Sequence, residues 1–206
     1  MKVIISHDVD HLFRRDHYRD LSYPKLMARS TIQLFQGMFG IKEWILRLCS
    51  VFPKERNSIQ YLMEYDSTNN IKSTFFFGMR KGYGLTYSRA DATKMIKKVD
   101  EKGFDVGVHG IEFENSLITE SEKQALSSIL GRSDFGIRMH YVHYTDNTFI
   151  NLNKCGYLFD TTEFNKKNGY VLKNPYKVGD MWDFPLAIMD GYLPTKLEDK
   201  KFALLS

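Results

Sequence analysis

An α/β fold built on a parallel sheet is what this sequence predicts, and three observations carry the prediction. Short apolar runs alternate with segments of helical periodicity in the order β-α-β-α-β-α-β-α-β, which implies parallel strands with covering helices. The run Lys72-Ser-Thr-Phe-Phe-Phe77 is apolar almost throughout, as suits a strand covered on both faces. Four runs also lead into polar clusters, at Asp8/Asp10, His109, Arg138/His140 and Asp160/Glu163. The carboxyl edge of a parallel sheet is where α/β proteins keep their sites.

The elements follow in order. Lys2 to Ser6 is a β-branched strand that meets His7-Asp8-Val9-Asp10-His11 in a loop. Arg14 to Tyr23 is polar and aromatic and reads as loop or a short helical turn, with His17 a solvated loop residue. From Pro24 to about Ser50 apolar residues recur at three- and four-residue spacing, and Gly37 and Gly40 divide this stretch into two helices. Its Met and Phe content fits two readings: ordinary core packing, the commoner outcome, or a flank open to a membrane surface or a partner. Asn57 to Ser67 is amphipathic and helical, and Lys72 to Phe77 is the second strand. Gly78 to Thr86 is a loop with three glycines. Ser88 to Lys102 is a helix with Gly103 just past its end, followed by the strand Phe104 to Val108 that runs into His109. Glu120 to Leu130 is a helix stopped at Gly131, Phe135 to Arg138 a strand, Asp146 to Lys154 a helix ended by Gly156, and Tyr157 to Asp160 the last strand.

Bulk properties narrow the function. A chain of 206 residues, 43% hydrophobic and 26% charged, suits one domain over residues 1–206, with a helical insertion at about 22–68. The net charge of +4 is spread over Arg14–Arg15, Lys97–Lys98, Lys166–Lys167 and Lys200–Lys201, not gathered on one face, which argues against nucleic acid as a partner. Such a balance is compatible with phosphate-bearing substrates or an anionic membrane surface. Cys49 and Cys155 lie far apart with no CxxC, as in a reducing cytoplasm. The N-terminal apolar run is too short for a signal peptide, and the best apolar stretch, Ile32 to Phe52, is broken by Lys42, Glu43 and Arg47.

Asp8, Asp10, His109 and His140 together suggest a metal hydrolase. A catalytic divalent cation takes three imidazole or carboxylate ligands and keeps a place for water, and a further carboxylate can act as general base. Asp8 and Asp10 would divide the roles of base and ligand. Taken singly, each residue has a plainer reading: the acidic pair caps a helix, His109 before a glycine closes a turn, and His140 and His143 bond backbone carbonyls. Those readings weaken jointly, because every group lies at a strand's carboxyl end. His11, Tyr141, His143 and Glu163 are the candidates for contacting substrate, with His11 alternatively orienting an aspartate. No phosphate-binding loop, dinucleotide fingerprint or Gly-x-Ser-x-Gly elbow is present.

Ile-Ser-His-Asp-Val-Asp-His, then Ser-Thr-Phe-Phe-Phe, then Asp-Val-Gly-Val-His-Gly resemble the polysaccharide deacetylase (NodB-homology, carbohydrate esterase) superfamily. The nearer likeness is to its divergent Asp-Val-Asp branch, found among surface-polysaccharide biosynthesis proteins; lipid-linked amino-sugar deformylases carry a similar opening. Gly136-Ile-Arg-Met-His140, Asp160-Thr-Thr-Glu163 and Trp182-Asp-Phe-Pro-Leu186 also resemble that branch, so the likeness spans about residues 2 to 193. It implies a distorted (β/α) barrel of the polysaccharide-deacetylase (NodB) type and a divalent metal, usually zinc. It implies Asp8 as base, Asp10 and His109 as ligands, and Arg138 as the residue that orients Asp8. The implied substrate is a carbohydrate or a lipid- or nucleotide-linked amino sugar, and peripheral membrane association is compatible with it.

Three departures qualify the resemblance. The family's second motif has two histidines four apart, and here the later position is Phe113, so His140 supplies the third ligand, with His143 and Glu112 as alternatives. The segment Asn165-Lys-Lys-Asn-Gly169 lacks an arginine often found there. No histidine follows His143 to serve as the family's late acid, and the barrel is expected to be incomplete at the C-terminus. The expected activity is removal of an N-acetyl or N-formyl group from a sugar in surface-polysaccharide assembly. A catalytically degenerate carbohydrate-binding module and a hydrolase of small cyclic amides stand as alternatives.

Overall fold

The computed structural model describes residues 3–19, 21–50, 58–164 and 172–189. The strands are β1 (Ile5–Val9), β2 (Ser73–Phe77), β3 (Asp105–Gly110), β4 (Ile137–Met139), β5 (Phe159–Asp160), β6 (Tyr176–Val178) and β7 (Met181–Asp183). The helices are α1 (Arg14–Arg19), α2 (Ser22–Phe35), α3 (Ile41–Ser50), α4 (Ser58–Thr68), α5 (Arg89–Glu101), α6 (Ser116–Leu130) and α7 (Asp146–Lys154), with a 3-10 turn at His140–Val142. One seven-stranded sheet runs in the order β1-β2-β3-β4-β5-β7-β6. Every neighbouring pair is parallel except β6 and β7.

The two faces of β2 explain the layers. Phe75 and Phe77 join the main core, with Ile59 and Met63 from α4, Ile96 and Val99 from α5 and Leu126 from α6. Phe76 points the other way, where its ring lies 6.4 Å from that of Phe159 and 4.7 Å beneath the Arg138 guanidinium. Gly107 makes room for it: a Cβ there would meet the Phe76 ring at 2.5 Å and the Gly136 carbonyl at 2.8 Å. The sheet is strongly curled. In a flat sheet β1 and β4 would lie about 14 Å apart, three strand spacings, yet Arg138 on β4 reaches Ser6 and Asp8 on β1 directly. This is the distorted-barrel arrangement expected, with the inner face of the curl carrying the polar groups.

Several boundaries differ from expectation for local reasons. β1 continues through Val9, pairing Asp8 with Phe76, so Asp8 lies on the strand and not in a loop after it. Arg14–Tyr23 forms α1 and the start of α2, because buried Asp16 Oδ2 accepts from the Leu12 and Phe13 amides and caps the turn. His17 is therefore helical. α6 begins at Ser116, a turn before Glu120, because Asn115 Oδ1 accepts from the Leu117 and Ile118 amides. Ser88 caps α5 in the same way, and Gly103 follows that helix at φ 80°. The β6–β7 hairpin was not expected. Its signal is the Gly179-Asp180 pair, with Gly179 at φ 62°. Core packing of the α2–α3 stretch is also corrected: Ile32, Phe35, Met38, Ile41 and Leu46 all lie exposed.

Candidate metal centre

Three strand ends deliver three donors to one point. Asp10 follows β1, His109 is on β3, and His140 follows β4. Asp10 Oδ1 lies 3.3 Å from His109 Nε2 and 3.4 Å from His140 Nδ1, and the two ring nitrogens are 2.8 Å apart. The outer nitrogen of each ring is held by backbone: His109 Nδ1 is 3.1 Å from the Arg138 carbonyl, and His140 Nε2 is 2.9 Å from the Tyr83 carbonyl. A carbonyl only accepts, so both outer nitrogens carry the hydrogen, and the inner nitrogens turn lone pairs toward each other and toward Asp10. Asp10 Oδ1 is buried with no hydrogen-bond partner. Converging lone pairs without a donor are what a cation relieves.

The donor set fits such a cation. Ligands about 2.0–2.1 Å from zinc in a tetrahedron stand about 3.3–3.4 Å apart, which two of the three donor separations match. Among the described residues Asp10, His109 and His140 form the group able to hold a metal ion. Electrostatics follow the same geometry. Burial opposes charge on His109, but the nearby carboxylates of Asp8 and Asp10 outweigh it and raise the pKa. Burial and the neighbouring His109 lower that of His140. Burial alone would raise Asp10; the proximity of His109 and His140 brings it below its ordinary value.

Asp8 stands beside this group without belonging to it. Its Oδ1 accepts from Arg138 Nη1 at 2.8 Å. Arg138 also donates from Nη2 to Ser6 Oγ at 2.6 Å and from Nε to Thr161 Oγ1 at 2.9 Å, so it is fixed from β1 and from the residue after β5.

The backbone around His140 is held in unusual conformations. Tyr141 and Val142 have φ of 57° and 47°, and Tyr83 has 49°. Such left-handed conformations cost a non-glycine residue of order 1–3 kcal/mol each and persist where surroundings enforce them. Here the Tyr83 carbonyl accepts from both His140 Nε2 and the Tyr141 hydroxyl. Beside it opens a cleft of about 440 Å³, lined by Arg19, Lys81 and the 82–86 loop.

The remaining predicted residues divide. Tyr141 packs its ring 4.0 Å from that of His140 and is half exposed, at the lip of the site. His11 stacks on His17 at 3.9 Å, and its charge helps lower the Asp10 pKa. His143 lies against Phe113 and Tyr141, and Glu112 accepts from the Glu114 and Asn115 amides, so neither joins the donor group. Glu163 pairs with Lys173 and accepts from the Tyr176 hydroxyl, in a separate polar cluster. In that cluster Asp160 and Asp183 are register partners and fully buried. Burial raises both pKa values, and the charge of Asp160 adds to the rise at Asp183. Tyr83, Ser6, Thr161 and Asp183 were not predicted. The Asn165–Gly169 segment and everything from residue 190 on lie outside the described residues.

Comparison with known proteins agrees with the architecture. No protein-family model matches the chain, and no curated protein does. Among solved structures it is similar to the crystal structure of a "putative polysaccharide deacetylase" from Mycobacterium smegmatis, with a TM-score of 0.53 at 18% identity. The match covers 89% of this chain and 57% of that one, so the chain spans little more than half the length of that protein. At such low identity the likeness establishes the fold, which is that of the polysaccharide deacetylases.

Proposed function

We propose that this protein is a metal-dependent hydrolase that removes an N-acyl group, acetyl or formyl, from an amino sugar in surface-polysaccharide assembly. The observation that carries the reading is the convergence of Asp10, His109 and His140, with both outer ring nitrogens tied to backbone carbonyls. Bound there, a divalent cation, zinc by its donors, would acidify water and polarise the acyl carbonyl. Asp8 is the general base. Arg138 aims its carboxylate, and the side chain keeps 21% of its exposure, so water can reach it. Asp8 takes a proton from the attacking water; oxygen bonds to the acyl carbon, the carbon–nitrogen bond breaks, and that proton goes to the departing amine. The products are the free amino sugar and acetate or formate.

The cleft beside Tyr83 favours an acyl sugar carried on phosphate. Arg19 and Lys81 line it, and Lys81 makes no ion pair among the described residues. A phosphate from a lipid or nucleotide carrier would meet both cations.

The test couples metal content to turnover. The purified chain should bind one zinc and release acetate or formate from acylated amino sugars. Asp10→Ala and His109→Ala should lose both properties, whereas Asp8→Asn should keep the zinc and lose turnover. Stoichiometric zinc in both alanine variants would refute the centre.

A further inference from the structure

The α2–α3 hairpin is amphipathic in the reverse sense. Polar groups join its helices: Trp44 Nε1 donates to Thr31 Oγ1 at 3.2 Å, and Arg47 Nη1 donates to Gln33 Oε1 at 3.2 Å. The one buried residue of α2 is Ser30, and α3 has none among its described side chains. Apolar residues face solvent instead. Phe35 is 85% exposed, Met38 64% and Ile41 66%, with Ile32, Ile45 and Leu46 also exposed. On α2 the exposed face runs Lys25, Ala28, Arg29, Ile32, Phe35, at three- and four-residue steps. Among the described residues α3 makes its principal contacts with α2, and α2 with α1 and α3, so the hairpin stands largely clear of the described strands.

We propose that this face docks the protein on an anionic lipid bilayer, with α2 and α3 lying in the interface. Charge selects that occupant. Lys25, Arg29 and Lys42 border the apolar residues and make no ion pair among the described residues. The acid beside them, Glu43, pairs with Arg47 at 3.0 Å. The face thus offers apolar side chains flanked by unneutralised cations, the pattern of an interfacial helix on anionic lipid. A second copy would set the same cations against each other around a two-fold axis. No described helix is long and apolar enough to cross a membrane, so the contact is peripheral at this hairpin. α1 packs against α2 and carries Arg19 of the cleft, so docking would bring the cleft near the lipid surface.

Flotation of the full chain with vesicles tests this. The protein should float with phosphatidylcholine vesicles containing about one third phosphatidylglycerol and stay behind with pure phosphatidylcholine. Phe35→Asp combined with Ile41→Asp, and separately Lys25→Glu combined with Arg29→Glu, should each reduce binding at least tenfold with circular dichroism unchanged. Asp10→Ala should float as the parent does, which separates this proposal from the enzymatic one. No flotation at low salt, or equal flotation by well-folded variants, overturns it. So does a dimer in light scattering that Phe35→Asp abolishes, which would assign the face to a second copy.

Discussion

Arg138 Nη1 donates to Asp8 Oδ1 at 2.8 Å, joining residues 130 positions apart. Two further donors of the same guanidinium go to Ser6 and Thr161, and its face rests on Phe76. The general base proposed for this site would have to be both aimed and reachable, and Asp8 fits: buried Arg138 holds its carboxylate, while the Asp8 side chain keeps 21% of its exposure.

Replacing Arg138 by lysine tests the aiming. An ammonium is a point charge and cannot meet Ser6, Asp8 and Thr161 in one plane. Arg138→Lys should fold, lose about 1–3 kcal/mol of stability to unmet buried hydrogen bonds, and lower kcat on an acyl amino sugar about 100-fold with KM little changed. Denaturant melts and steady-state kinetics measure both. An unchanged kcat would mean that Asp8 needs no such clamp.

The third ligand is testable in isolation. By sequence His140, His143 and Glu112 could each fill the role, but only His140 points a nitrogen at Asp10 and His109. Zinc affinity, read by competition with a chromophoric chelator, should fall more than about 100-fold in His140→Ala, beyond the usual effect of a residue that merely supports a ligand. His143→Ala and Glu112→Ala should leave it within about threefold. Loss in either of those instead would move the coordination to the other side of the 3-10 turn.

The predicted donors could be read because each ends an apolar strand, and a parallel sheet brings such ends together. Asp8, Asp10, His109, Arg138 and His140 all carry that mark. Tyr83 could not be read, since it acts through its carbonyl and any residue has one. β6 and β7 are three residues each, too short to show a period, so Asp183 is legible within the Trp182-Asp-Phe-Pro-Leu186 likeness but not as a site residue. The α2–α3 periodicity was visible but its direction was not. Three- and four-residue spacing shows that a helix has an apolar stripe, not whether the stripe faces a core or a bilayer.

Gly107 reports on the barrel interior. A methyl group there would lie 2.5 Å from the Phe76 ring and 2.8 Å from the Gly136 carbonyl. The ring can turn, but the carbonyl belongs to the backbone entering β4, so Gly107→Ala should cost about 1–3 kcal/mol or more. Adding Phe76→Leu should recover only part of that loss. Full recovery in a double-mutant cycle would show that the backbone contact gives way.

Glu122 makes stability depend on pH. It is fully buried on α6, its Oε1 accepts from the Ile111 amide at 3.4 Å, and its Oε2 has no partner. Burial pushes its pKa from 4.5 up to about 7. In the unfolded chain the carboxyl loses its proton near the ordinary value, while the folded chain keeps the proton until about pH 7. The native state therefore binds more protons across that window, and this group's contribution to stability falls as pH rises from about 4.5 to about 7. Glu122→Gln keeps an acceptor for Ile111 and removes the titration. Relative to wild type, the variant should gain on the order of 3 kcal/mol between pH 4 and pH 8, since each tenfold change in proton affinity corresponds to about 1.4 kcal/mol. Urea melts at the two pH values measure the difference, and a gap that stays constant would show that folding leaves the Glu122 pKa where it is in the unfolded chain.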